Sequence, residues 1–164
     1  MRGFQPHGEG YQAVLEPYEA RVLLSLAEQL QQLLSDGLGG NPAADEALHR
    51  VLPDAYRNDD EAAREWRELS RRGLIERKSS FAATMTTGLA TIAAGDSPAP
   101  LQLSEGEAID WMRAIGDLRL ILADRLGIVV DGDEGGDDPP EAADLYRWLA
   151  WIQDDLVRAL DGRR

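Results

Sequence analysis

The sequence predicts a mainly α-helical fold: an all-α bundle of about five to six helices with a short N-terminal β-hairpin or extended arm. Three observations lead there. Leucine and alanine recur at helical spacing through most of the chain, which marks one apolar face per helix. Helix-opening and helix-closing residues bracket those runs, as capping chemistry requires. Strand-like patterning is confined to residues 3–15 and to Ile128-Val129-Val130.

The elements follow in order. Phe4-Gln5 and Tyr11-Gln12-Ala13-Val14-Leu15 flank the turn-rich Pro6-His7-Gly8-Glu9-Gly10, which reads as a hairpin or an arm. A helix opens at Glu16 or Pro17, because proline suits the first helical turn. Its stripe is Val22, Leu23, Leu26, Leu30, Leu33 and Leu34, widened by Leu24, and Asp36-Gly37 closes it near Ser35. A short helix over 43–52 stops at Pro53. Asn58-Asp59-Asp60-Glu61 has the form of an N-cap, opening a helix that reaches Arg72 and breaks at Gly73. The next helix, 74–94, carries Phe81, Met85, Leu89 and Ile92 among small residues. Small residues let neighbours approach on several sides, so this helix is expected at the centre. Residues 95–100 read as a loop. Ser104-x-x-Glu107 is a capping box for a helix with Ala108, Met112, Ile115, Leu118, Leu122 and Leu126 inside, ended by Gly127. Residues 131–138 form an acidic, glycine-rich connector. Pro139-Pro140-Glu141 then opens a last helix with Leu145, Trp148, Leu149, Ile152, Leu156 and Leu160 inside.

Length and composition narrow the function. A chain of 164 residues fits one domain, expected to span 1–164. There is no cysteine, which removes disulfides, thiolate nucleophiles and cysteine-bound metals. His7 and His49 stand too far apart in sequence to suggest a metal site, and no cofactor or metal is expected. Met1-Arg2-Gly3-Phe4-Gln5-Pro6 has no apolar signal core, and no apolar run approaches the roughly 20 residues of a membrane span. The chain is therefore expected in the cytoplasm, without a membrane partner. The net charge of −13 repels phosphate on average, which argues against direct nucleic-acid binding and favours a basic protein partner.

Four features could carry chemistry. From Arg64 to Lys78 there are six basic and three acidic residues. The stretch Glu68-Leu69-Ser70-Arg71-Arg72-Gly73-Leu74-Ile75 resembles the end of a winged helix. A wing needs alternating β-formers next, whereas Ser79-Ser80-Phe81-Ala82-Ala83-Thr84-Met85 is helical in period. A solvated helix face is the plainer reading. The acidic loop 131–138 has glycine at the sixth position of a calcium loop, but Ala142 stands where the bidentate glutamate is required. Asp110, Asp117 and Asp124 recur every seven residues, interleaved with Arg113, Arg119 and Arg125. They could be a metal or acid–base stripe, a buried ion-pair seam, or a solvent face with an Arg113–Asp117 pair. Of Trp66, Trp111, Trp148 and Trp151, any that stays exposed would mark an interface. No phosphate loop, dinucleotide fingerprint, zinc-protease motif or nucleophile elbow is present.

Three blocks carry a resemblance. They are Leu52-Pro53-Asp54-Ala55-Tyr56-Arg57-Asn58-Asp59-Asp60-Glu61-Ala62-Ala63, then Trp111-Met112-Arg113-Ala114-Ile115-Gly116-Asp117-Leu118-Arg119-Leu120, then Leu145-Tyr146-Arg147-Trp148-Leu149-Ala150-Trp151-Ile152-Gln153-Asp154-Asp155-Leu156. In order and spacing they resemble the actinobacterial DUF2017 family along essentially the whole chain. The resemblance implies an oxidative stress regulator that contacts transcription machinery, with a stress sigma factor as partner. It implies no catalytic residues, and so no enzyme. The family picture includes a paired-cysteine switch, which this sequence cannot carry. Gly116 also stands where the family pattern has asparagine.

The leading reading is a non-enzymatic regulatory or adaptor protein that binds another protein. Arg64, Arg67, Arg71, Trp111, Arg113, Asp117, Arg119 and Trp151 are its candidate contact residues. A DNA-binding regulator using segment 64–78 is the alternative, and a small-molecule-binding or hydrolytic bundle built on the aspartate stripe is the third. A homodimer is compatible with all three.

Overall fold

A computed structural model describes residues 1–52, 61–127 and 140–162, the side chains of 61–67 and 140 excepted. The hairpin forms as β1 (Arg2–His7) and β2 (Gly10–Leu15), turned at Gly8 with φ +57. A third strand, β3 (Ala99–Leu103), lies antiparallel on β2, from Tyr11↔Leu103 to Leu15↔Ala99. The sequence reading placed 95–100 in a loop and missed this strand. Its alternation is only Leu101 and Leu103 inward with Gln102 outward, too short a run to stand out by periodicity. Pairing with β2 supplies what the local pattern lacks. Gly10 permits that pairing, since a Cβ there would sit 2.2 Å from the Leu103 carbonyl oxygen.

Helix α1 (Pro17–Leu38) starts at a capping box formed by Glu16 and Glu19. It passes the expected stop at Gly37 for a packing reason. Gly37 is buried inside the helix, and a Cβ would come within 2.8 Å of Leu48 Cδ1. The glycine admits Leu48 rather than ending the helix. Helix α2 (Pro42–Ala47) is capped by Asn41, which accepts from the Ala43 amide at 3.0 Å. It is shorter than expected, but the turns after it still bury Leu48, Val51 and Leu52.

Helix α3 (Glu61–Ala93) is continuous over 33 residues, about 50 Å at the usual rise. The expected break at Gly73 does not occur. Nothing lies within 4 Å of where its Cβ would be. A solvated glycine costs a helix only about 1 kcal/mol, which burial of Ile75, Ala82, Met85 and Leu89 outweighs. The same continuity removes the wing, because segment 64–78 runs straight on as helix. The Asn58-Asp59-Asp60 cap, the 128–130 strand and the 131–138 loop lie outside the described residues.

Helix α4 (Glu105–Arg125) opens on the Ser104–Glu107 capping box and gives way to Gly127 at φ +64. Helix α5 (Pro140–Asp161) completes the bundle. As expected, α3 is central: it packs on α1 and α4 and touches β3. Met85, Leu89, Trp111, Ile115 and Leu149 fill the interior. Phe4 meets Trp111 edge-on at 6.3 Å between centroids. Its amide donates to Asp155 Oδ2 at 2.5 Å, tying β1 to α5.

Candidate functional site

Three helices converge on a cleft of about 740 Å³. From α3 come Leu74, Arg77, Lys78 and Phe81, at the three- and four-residue spacing that puts them on one face. Helix α4 supplies Met112, Arg113, Gly116, Asp117, Arg119, Leu120 and Ala123, and α5 supplies Tyr146 and Gln153. The lining sets apolar side chains beside the cations Arg77, Lys78, Arg113 and Arg119.

At the centre, Lys78 Nζ donates to Asp117 Oδ1 at 2.7 Å. Asp117 is buried, and burial pushes its carboxyl above the usual carboxylate range; the hydrogen bond and charge of Lys78 pull back only in part. Its second oxygen, Oδ2, is buried without a hydrogen-bond partner among the described residues. On one side, the Arg113 guanidinium sits 5.1 Å from the Phe81 ring centroid. On the other, the Arg119 guanidinium sits 4.9 Å from the Tyr146 ring. Arg119 also donates to Gln153 Oε1 at 2.7 Å and to the Tyr146 hydroxyl at 3.2 Å, while its Nε has no acceptor among the described residues. Gln153 is held in turn by the Met112 carbonyl, to which its Nε2 donates at 3.3 Å. Glycine at 116 makes room for this amide, because a Cβ there would stand 3.0 Å from Gln153 Nε2.

Arg77, Arg113 and Arg119 make no ion pair among the described residues. From the described residues the cleft therefore gathers four cations and one carboxylate in a chain of net charge −13. Stacking on aromatic rings fixes two of those guanidiniums without neutralising them.

The aspartate stripe resolves into a seam. Asp110 Oδ2 accepts from Thr84 at 3.2 Å, Asp117 pairs with Lys78, and Asp124 pairs with Arg50 at 2.9 Å, with His49 3.7 Å away. Each carboxylate ties α4 to a different partner, so the three do not converge on a common point. The Arg113–Asp117 pair does not form, because Phe81 takes the guanidinium and Lys78 the carboxylate. No group of three metal-ligating side chains occurs among the described residues.

Of the candidate contact residues, the fold brings Arg113, Asp117 and Arg119 together. Arg71 pairs with Asp45 and docks α2 on α3. Trp111 is fully buried, which corrects its place in the contact set: it is a core residue. Trp151 is 40% exposed but does not line the cleft. Arg64 and Arg67 lie on α3 with side chains outside the description. The candidate contact set lacks Phe81, Tyr146 and Gln153, and Arg77 and Lys78 enter only through the 64–78 segment of the DNA-binding alternative. The one available signal was Gly116, whose missing side chain marks the place where Gln153 enters.

The family model for the domain of unknown function DUF2017 matches residues 1–160. The chain belongs to the DUF2017 family. Among its DUF2017 relatives is the oxidative stress regulator AosR of Mycobacterium tuberculosis H37Rv, 30% identical across 96% of this chain and 85% of that protein. The Mycobacterium bovis protein of the same name is similar to the same degree. A Mycobacterium leprae relative is 27% identical across 94% of this chain and 84% of its own length. No solved structure matches. Among the described residues, no helix of this DUF2017 protein is long and apolar enough to cross a membrane.

Proposed function

We propose that this DUF2017 protein is a non-enzymatic regulator in an oxidative stress response, acting in the cytoplasm by contact with another protein. The partner class that fits is a component of the transcription machinery, a stress sigma factor foremost. The observation that carries the reading is the α3–α4–α5 cleft, where ring-stacked guanidiniums with no carboxylate partner among the described residues stand beside apolar side chains. Arginine and aromatic side chains together are what binding hot spots are made of. Relatives named as oxidative stress regulators support the regulatory role. With no cysteine in the sequence, oxidant sensing falls to the partner or to another input.

Deletion of the gene in its source organism tests the role. The deletion strain is expected to lose peroxide survival and to regain it with the wild-type gene. Unchanged survival together with an unchanged peroxide-induced transcript profile would overturn the proposal.

A further inference from the structure

We infer that the α3–α4–α5 cleft is the docking groove for an acidic amphipathic helix of the partner protein. The inference deepens the regulatory reading and rests on it. It also reverses what net charge alone predicts. A charge of −13 suggests a basic partner, but contact is decided within about one Debye length, roughly 10 Å. Within that distance the cleft presents Arg77, Arg113 and Arg119, which have no ion-pair partner among the described residues.

The shape of the site argues for a helix over a compact anion. Arg113 and Arg119 lie six positions apart on α4, about 9 Å along its axis. They are stacked on rings from opposite walls, Phe81 of α3 and Tyr146 of α5. A single phosphate or carboxylate cannot bridge them. Carboxylates on successive turns of a bound helix can. The apolar share of the cleft supplies the rest of the match. Leu120 is 43% exposed there, beside Leu74 and Met112, and an amphipathic helix buries its apolar face against such a groove.

The test uses the full chain and a fluorescein-labelled peptide of about 18 residues, with Leu and Phe on one helical face and Glu on the other. Fluorescence anisotropy is expected to show saturable binding. Arg113→Glu and Leu120→Glu should each weaken it by about tenfold or more, and Arg158→Glu, outside the cleft, by less than about twofold. A peptide of the same composition with its apolar phase scrambled should also bind at least about tenfold more weakly. Circular dichroism melts confirm that each variant folds. Equal affinity for the scrambled peptide, or indifference to both cleft substitutions, would overturn the inference. So would displacement of the peptide by millimolar inorganic phosphate, tighter binding of a single-stranded oligonucleotide, or self-association of the chain through the same arginines. The two readings fail separately. A deletion phenotype without peptide binding removes the groove alone, and peptide binding without a phenotype removes the regulatory role alone.

Discussion

Lys78 of α3 and Asp117 of α4 meet at 2.7 Å with only 15% and 7% of their side chains exposed. They join the two helices at the cleft centre. Removing one member of such a pair strands the other in a poorly solvated place. Lys78→Met is therefore expected to cost about 3 kcal/mol at neutral pH, and adding Asp117→Asn should restore part of the loss. Urea melts of the three variants check this. A Lys78→Met protein as stable as wild type would show that the pair is solvated.

The same carboxylate sets a pH dependence of unusual sign. Burial raises the Asp117 pKa in the folded state, so the folded chain binds the proton more tightly than the unfolded one. Its contribution to stability therefore falls as pH rises from the ordinary carboxylate value to its own raised value. Most carboxylates act in the opposite direction. Asp117→Asn should remove this falling component, so its stability should rise more steeply with pH across that window than wild type does. Parallel profiles would show that the group is not shifted.

Gly88 faces Leu101 and Trp111 where α3 passes beneath β3. A Cβ there would lie 3.2 Å from Leu101 Cδ1 and 3.6 Å from the indole. Gly88→Leu overfills this contact, at a cost of about 1–3 kcal/mol. The melting temperature should fall by about 3–10 °C, as read by calorimetry.

Ser104 accepts from the Glu107 amide at 3.3 Å, and Glu107 accepts from the Ser104 amide at 2.8 Å. Ser104→Ala should cost about 1 kcal/mol. Hydrogen bonds from Ser104 also hold the Glu107 carboxyl below its usual range. The capping contribution is therefore present above the ordinary glutamate value and fades as pH falls through the depressed one. A proton-detected titration of Glu107 should move upward in the Ser104→Ala variant.

Without cysteine, peroxide can reach only softer sulfur, and the methionines differ in access. Met85 is fully buried, whereas Met112, expected in the core, is half-buried and lines the cleft. Peptide mapping after mild peroxide should find the sulfoxide at Met112 well before Met85, with the helical signal by circular dichroism unchanged. Oxidation at equal rates would place Met112 deeper than the structure does.

Much of this fold was legible in the sequence. The capping box at Ser104, the proline openings of α1 and α5, and the apolar stripes each report local chemistry that the structure keeps. The failures have one source. Gly37, Gly73 and the Ala99–Leu103 strand were read from local signals that distant contacts override: Leu48 against Gly37, the core beneath α3, and β2 beside β3. The site was half legible for the same reason. Arg113, Asp117 and Arg119 share one helix, so spacing could group them. Their rings and partners, Phe81, Tyr146, Gln153 and Lys78, come from helices whose approach no spacing encodes.

The amide of Phe4 bonds to Asp155 across 151 positions, and β2 pairs with β3 across about ninety. During synthesis, the hairpin must wait for most of the chain before either sheet edge or helix docking can close over it. Until then Phe4, Tyr11 and Leu15, all buried at the end, have no lasting cover. Such distant closures slow folding, because loop entropy is lost before contacts repay it. The nascent chain should therefore be a prolonged client of ribosome-associated chaperones, and its refolding from denaturant should be slower than its helical content suggests.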